Sequence, residues 1–184
     1  MKRLSFIAIL AVFTFGTRAQ EIKFAPVDAS PADIIYYPLN AAKAKDGSLP
    51  SIKVVYSRPT RKGREIFGVL EQYDKVWRAG ANESTEIKFY KRAVIGGKTI
   101  KPGTYSLFAI PNPGKWLLII NKQTDKWGAF SYNQAEDVVR VEVPVKLQDK
   151  PIEAFSITFT PQPDGANMVL GWDKCLVELP IAIK

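Results

Sequence analysis

Apolar and polar residues alternate along much of this chain, and this alternation is the strongest constraint on its fold. The clearest run is 139–145, where valine occupies every second position and Arg140 and Glu142 fall between. The same period of two recurs in the segments 52–57, 86–89, 155–159, 168–172 and 175–181. Since successive side chains of a strand point to opposite faces, each segment predicts a half-buried strand of an antiparallel sheet. The continuously apolar run 116–120 predicts a central strand that is covered on both faces.

Turn residues separate the predicted strands. Gly96-Gly97 favours a two-residue hairpin. Proline-glycine turns are expected at 101–103, 112–114 and 163–165, because proline presets φ and glycine accepts a positive φ. A turn about every ten residues favours two packed sheets. We therefore predict an all-β fold, an antiparallel two-sheet β-sandwich of jelly-roll or immunoglobulin-like type with no long helices.

Smaller features are predicted between these elements. Residues 38–51 are expected to form an exposed loop between the first two strands, and 70–77 to be partly a strand. The segments 30–33 and 65–70 are expected to form short helical turns.

The first residues have the pattern of an export signal. Lys2-Arg3 precede the apolar run 4–15, and Thr17-Arg18-Ala19 supplies small residues for a signal peptidase. The run is about twelve residues long, too short for a bilayer core of ~30 Å, so an uncleaved anchor is the less favoured alternative. No later apolar stretch approaches a transmembrane length. We predict a periplasmic or secreted protein with three parts: a signal peptide at 1–19, a lead-in segment at 20–30 and a single β-sandwich domain at 31–184.

The charge distribution argues against a nucleic-acid partner. The chain has 26 basic and 18 acidic residues, and removal of Lys2, Arg3 and Arg18 with the signal leaves 23 against 18. The net charge of the mature protein is then near +5 and is spread along the chain apart from the cluster 58–64. Nucleic-acid binding usually needs a concentrated basic face. We therefore expect no nucleic-acid partner.

The reactive residues exclude several kinds of enzyme. The chain has no histidine, which rules out Ser-His-Asp and Cys-His catalysis and any histidine zinc site. The single cysteine, Cys175, forms no internal disulfide and shares a strand face with Val177 and Leu179, which indicates a buried, inert thiol. Neither a phosphate-binding glycine loop nor a complete calcium loop is present. We predict no cofactor and no metal.

The densest group of polar residues lies around 57–64 and 76–83, between two predicted strands. With a tryptophan further along the chain, the candidate ligand-binding residues are Arg58, Arg64, Trp77, Arg78, Asn82, Glu83 and Trp127. We expect them at the rim of the sandwich, where loops carry binding groups. The arginines would hold an anion, the amide and carboxylate would complete the hydrogen bonds, and the two tryptophans would wall the pocket.

Three functions are compatible with this group. The first is binding of a small anionic or polar ligand, which includes carbohydrates, without catalysis. The second is hydrolysis of envelope or dietary glycans, with Glu83 as the acid and a second carboxylate from Asp125, Glu136 or Asp137. The third is a structural envelope domain in which Arg78 or Arg64 pairs with Glu83 and ties two loops together. We favour the binding function and expect that the protein is not an enzyme.

The same residues carry a resemblance to a known family. The matching motifs are 56–59, 62–64 with 66–68, 75–83, 97–98, 102–108, 121–122 and 127–128. With these motifs the chain resembles a family of exported bacterial proteins called domain of unknown function 2911, from about Ser30 to the end. The resemblance implies an exported, single-domain, all-β protein. It implies no activity, substrate or catalytic residue, and Cys175 is not part of its pattern.

Overall fold

The computed structural model describes residues 21–184, and the predicted signal peptide 1–19 lies outside the described residues. Ten strands follow in this part of the chain: β1 (Ala32–Tyr37), β2 (Ile52–Ser57), β3 (Thr85–Phe89), β4 (Ala93–Ile95), β5 (Lys98–Ile100), β6 (Gly103–Ile110), β7 (Lys115–Asn121), β8 (Asp137–Pro144), β9 (Lys146–Gln162) and β10 (Gly165–Ile183). Two 3-10 turns, Ala41–Lys43 and Gln134–Glu136, complete the regular structure of the described residues. None of the helical segments in residues 21–184 has the length and apolarity to cross a membrane.

The strands form two antiparallel sheets that pack against each other. The larger sheet has the order β1-β2-β3-β6-β7-β8, and the smaller has the order β5-β4-β10-β9. This arrangement confirms the predicted all-β sandwich without long helices. The alternation in the sequence explains it, because every second side chain of β2 and β3 is buried between the sheets while its neighbours face outward.

The core between the sheets is rich in aromatic rings. Trp77 stacks on Trp172 with 5.9 Å between the ring centroids, and Trp116 lies 4.6 Å from Phe67. Both sheets contribute to this one hydrophobic cluster. Three of the four tryptophans of the chain are therefore core residues, and only Trp127 is exposed.

Strand β7 is covered on both faces, as its apolar sequence predicts. Trp116, Leu118 and Ile120 point into the core. Ile119 points the other way and is also buried, on the face where Tyr132 packs edge-on against Phe108 at 5.2 Å. The loop that contains Tyr132 thus covers part of the outer face of the larger sheet.

The connections agree with the sequence in some places and differ in others. Gly96 and Gly97 form the β4–β5 hairpin with φ of +54° and +77°, and residues 38–51 connect β1 to β2 as predicted. The helical turn predicted at 30–33 is wrong, because β1 begins at Ala32. The segment 65–70 has turns but no helix, and 70–77 makes isolated bridges rather than a strand.

Candidate functional site

The candidate site is built on the long connection between β2 and β3, residues 58–84. This connection returns to the sheet at Trp77, whose backbone N–H donates to Ala109 O at 2.7 Å and whose carbonyl accepts from Ala109 N at 2.9 Å. Because Thr85 of β3 pairs with Leu107, Trp77 takes the position beside β6 that a longer β3 would fill. Residues 78–84 therefore leave the line of β3 and come back to it, and we call this segment the excursion.

Hydrogen bonds within this excursion fix its shape. The Trp77 indole N–H donates to Gly80 O at 3.1 Å, and the Arg78 guanidinium donates to Asn82 O at 3.0 Å. The Thr85 hydroxyl donates to Ala79 O at 2.6 Å. Three side chains thus donate hydrogen bonds to backbone carbonyls of this loop.

A second loop, residues 122–136, pairs with this excursion and brings Trp127 beside it. Ser84 N donates to Lys126 O at 2.8 Å, and Gly128 N donates to Asn82 O at 2.9 Å. Glu83 and Trp127 face each other across this short antiparallel bridge. The Trp127 side chain is 62 % exposed at the edge of the pair.

The 122–136 loop is anchored at both ends by a buried polar network. The Asn121 amide donates to Asn133 O at 2.9 Å and to Asp137 Oδ1 at 2.7 Å, and its oxygen accepts from Gln123 N at 2.8 Å. The Tyr132 hydroxyl donates to Asp137 Oδ2 at 2.6 Å. Burial raises the pKa of Tyr132, and the bond to Asp137 raises it further. The network holds the loop against the sheet.

These two loops and the lead-in segment enclose an open cleft of about 250 Å³, which we call the Glu83 cleft. Its lining residues are Asp28, Ser30, Ala32, Ser57, Asn82, Glu83 and Trp127. Asp28 Oδ1 accepts from the Asn82 amide at 3.1 Å and from Ser30 N at 2.7 Å. The Ser30 N–H and the Asn82 amide lower the pKa of Asp28, which stays ionised.

A smaller pocket of about 120 Å³ adjoins the Glu83 cleft and shares Ala32, Ser57 and Glu83 with it. Glu86 and Asp125 add two carboxylates to its wall, and Lys126 adds one ammonium group. The combined surface carries four carboxylates and one basic side chain. The surface is therefore negatively charged, whereas the anion-binding pocket that the sequence suggests would be positively charged.

Arg58 and Arg64 do not line the Glu83 cleft. The Arg58 guanidinium donates to Asp33 Oδ2 at 3.0 Å, to Phe155 O at 3.1 Å and to Ser156 Oγ at 2.7 Å. Arg64 donates to Arg61 O at 3.0 Å and to Thr60 O at 2.6 Å. Both guanidinium groups are occupied by protein acceptors, and Arg58 connects the two sheets.

The structure also separates Trp77 and Arg78 from the predicted pocket. The Trp77 ring is only 3 % exposed, so it is a core residue and cannot wall a pocket at the rim. Arg78 lies on a different cavity and its guanidinium bonds to a backbone carbonyl. Among residues 21–184, Glu83 has no ion pair with Arg64 or Arg78. The excursion is thus held together by hydrogen bonds to carbonyls rather than by the expected ion pair.

Two polar residues of this region have no distinct signal in the sequence. Asp28 belongs to the irregular lead-in segment and is linked to the excursion by its bond to Asn82. Glu71 lies beside Arg78 and Phe130 on a separate cavity of about 180 Å³. Burial raises the pKa of Glu71 to about 7, although the positive charge of Arg78 opposes the shift. Burial of this kind depends on tertiary contacts, which residue spacing does not reveal.

The remaining reactive groups offer little chemistry. Cys175 is half-buried rather than fully buried, and burial raises the pKa of its thiol. Within the described part of the chain, no three His, Cys, Asp or Glu side chains are arranged to hold a metal ion.

The fold and the site define an antiparallel β-sandwich with an acidic cleft at its rim, edged by an exposed tryptophan. A family model described as protein of unknown function DUF2911 matches residues 38–181, and the chain belongs to this family. The match includes the excursion and the 122–136 loop, whereas Asp28 and β1 precede it. No curated protein and no solved structure shows significant similarity to the chain.

Proposed function

We propose that the protein binds a small polar, hydroxyl-bearing ligand of the carbohydrate type in the Glu83 cleft. The observation that carries this proposal is the exposed ring of Trp127, which the backbone pairing holds beside Asn82 and Glu83. A ligand site commonly combines an apolar or aromatic surface with a few fixed polar groups. The Glu83 cleft has both.

The polar groups match the hydrogen-bonding needs of a sugar. Carboxylates accept from hydroxyl groups, and the Ser57 hydroxyl and the Asn82 amide can both donate and accept. An indole face offers the apolar area that one side of a sugar ring can cover. The carboxylates of Asp28 and Glu83 lie on the same cleft as the indole.

The charge of the cleft favours a neutral ligand over an anion. Asp28, Glu83, Glu86 and Asp125 line the combined surface, and only Lys126 opposes them. An anionic ligand would be repelled by this group at neutral pH. Of the two ligand classes that the sequence suggests, the polar one therefore has the better support.

Hydrolysis is the second candidate because Glu83 shares one narrow pocket with Glu86 and Asp125. Glycosidases use a pair of carboxyl groups on opposite sides of the scissile bond. A hydrolase of glycans would lose turnover on Glu83→Gln while still binding its substrate. Export, which the N-terminal sequence predicts, would bring the cleft into contact with envelope or dietary glycans.

Quenching of tryptophan fluorescence by acrylamide, an uncharged quencher that the acidic cleft does not repel, tests the binding proposal. Since Trp127 is the one exposed tryptophan of the four, quenching reports on the Glu83 cleft. Neutral oligosaccharides should protect Trp127, and uronic acids or sugar phosphates should not. Trp127→Ala and Glu83→Gln should each weaken binding by about tenfold or more in calorimetry, which is a loss of about 1.4 kcal/mol.

Phe130→Ala is the matched control. Phe130 is 86 % exposed on the same loop but lines the separate cavity beside Glu71. Its removal should leave saccharide binding unchanged. If no neutral saccharide protects Trp127, or if Trp127→Ala binds as tightly as the unmodified protein, the proposal is wrong. Protection by anions that depends on Arg58 would support the anionic alternative instead.

A further inference from the structure

Three connections meet at the end of the larger sheet that is opposite the Glu83 cleft. Ser51, the last residue of the 38–51 loop, donates to Tyr37 O at 2.8 Å and accepts from Tyr90 N at 2.9 Å. Phe89, the last residue of β3, pairs with Ile52 on one side and with Gly103 on the other. The connections 38–51, 90–92 and 101–102 are therefore neighbours.

This end of the molecule is strongly basic, and we call it the basic end. It contains Lys43, Lys45, Lys53, Lys88, Lys91, Arg92 and Lys101. No acidic residue occurs between Glu86 and Asp125, and Asp46 is the single acid of the three connections. In residues 21–184, none of these seven basic side chains has an ion-pair partner.

The sheet register concentrates the charge further. Lys53 of β2 lies directly opposite Lys88 of β3 on the outer face. Like charges in directly opposed positions destabilise a sheet. The Lys88 ammonium group lies 4.8 Å from the centre of the Tyr90 ring, which offers only weak compensation near the surface. A fold that keeps this arrangement gains nothing from it in stability, which points to a partner that neutralises the charge.

Exposed leucines lie among the basic residues. Leu39 is 55 % exposed and Leu49 is 71 % exposed, and both belong to the 38–51 loop. Lys43 and Lys45 lie between them in the sequence and are exposed as well. A loop that exposes both leucines and lysines is typical of surfaces that insert shallowly into a bilayer while the lysines contact lipid headgroups.

We propose that the basic end docks on the surface of an anionic lipid bilayer. The charge is distributed over three neighbouring loops and the adjoining ends of β2 and β3 instead of lining a groove, which suits a planar anionic surface. Leu39 and Leu49 would enter the interface beneath the headgroups. The Glu83 cleft lies at the other end of β1, β2 and β3, so docking would leave it open to solvent.

Vesicle sedimentation tests the proposal. The full chain should bind vesicles of equimolar phosphatidylglycerol and phosphatidylcholine. It should bind much more weakly to vesicles of phosphatidylcholine alone. High salt should release it, because salt screens the attraction between lysines and lipid headgroups. Each lysine near an anionic membrane contributes about a factor of five to binding, so Lys91→Glu with Lys101→Glu should reduce the partition coefficient at least about tenfold.

Matched variants separate docking from general effects of charge and apolarity. Lys75→Glu with Lys174→Glu makes the same change in net charge at exposed positions away from the basic end, and should bind nearly as well as the unmodified chain. Leu39→Ser with Leu49→Ser should also weaken binding, whereas Val69→Ser with Leu70→Ser, exposed on the β2–β3 connection, should not. All variants share the same N-terminal segment, so its contribution to vesicle binding cancels when the variants are compared.

Three results would overturn the proposal. The chain could fail to bind anionic vesicles, or the two pairs of charge reversals could reduce binding equally. In the third result, Leu39→Ser with Leu49→Ser binds vesicles as well as the unmodified chain, and soluble polyglutamate or polygalacturonate competes fully with the vesicles. That third result would assign the basic end to a soluble acidic polymer instead of a bilayer.

Discussion

Single residues in and beside the 78–84 excursion serve mainly to hold its backbone. Trp77, Arg78 and Thr85 each donate to a carbonyl within the segment. Gly80 allows the close approach, since a Cβ at this position would lie 3.0 Å from Ser57 O and 3.1 Å from Thr85 Oγ1. A distinctive sequence motif is explained here by local hydrogen bonding and tight packing.

Gly80→Ala should therefore destabilise the protein by about 1–3 kcal/mol, because neither the backbone carbonyl nor the bonded hydroxyl can move away easily. Gly114→Ala is the control, since nothing lies within 4 Å of the added methyl group. That change should be neutral or stabilising by less than about 1 kcal/mol. Urea denaturation measures both, and equal free energies of unfolding for the two variants would contradict this account.

Glu71 should make the stability depend on pH. Its pKa rises from 4.5 to about 7, so the folded protein keeps a proton that the unfolded chain has already lost between these values. Stability should fall as the pH rises through this range, and the full penalty should be present above about pH 7.

Glu71→Gln removes this penalty. Relative to the unmodified protein, the variant should gain about 1–2 kcal/mol more at about pH 8 than at about pH 4, after allowance for the partial exposure of the carboxyl group. Denaturation curves at the two pH values measure the difference. A constant difference between the proteins at both pH values would show that the carboxyl group has an ordinary pKa.

At the scale of elements, the 122–136 loop determines whether the Glu83 cleft exists. Its bridge to the excursion contributes Trp127, and its anchors are Asn121 and Asp137 at the ends of β7 and β8. The loop has little regular structure of its own, so its conformation depends on these side chains.

Asn121→Ala should release the 122–136 loop. The change removes three hydrogen bonds of a fully buried amide and should cost about 2–4 kcal/mol of stability. Limited proteolysis should then cleave the loop faster. Asn112→Ala, which removes one surface bond to Asp74, should cost less than about 1 kcal/mol and leave the cleavage rate unchanged. A loop that resists protease equally in both variants would mean that Asn121 is not its anchor.

The strands themselves could be predicted well from the sequence. The alternation at 52–57 and 139–145 reflects burial of one face, and the β4–β5 turn needs the glycines that the chain has at 96 and 97. The segment 70–77 could not be assigned correctly, because its only links to the sheet are long-range bonds such as that from Trp77 to Ala109. Apolar composition alone does not distinguish such a bridge from a strand.

For the molecule as a whole, the fold was predictable and the site was predictable only in part. Asn82, Glu83 and Trp127 meet at the rim because two loops pair there. The sequence suggests the same site for Arg58 and Arg64 because they are close to the other residues along the chain, but their guanidinium groups donate to acceptors elsewhere. Residue types reveal which groups can bind, whereas their direction depends on contacts that form only in the folded molecule.

The interruption of β3 also determines where the fold can accept changes in sequence. Trp77 and Thr85 keep the ladder with β6 on both sides of the excursion, so the sheet register does not depend on residues 81–83. Two of these positions, Asn82 and Glu83, lie between the fixed points and line the Glu83 cleft. Sequence diversity introduced at these two positions would change the lining of the cleft while the framework stays constant, which makes the excursion a natural place to build binding sites into this scaffold.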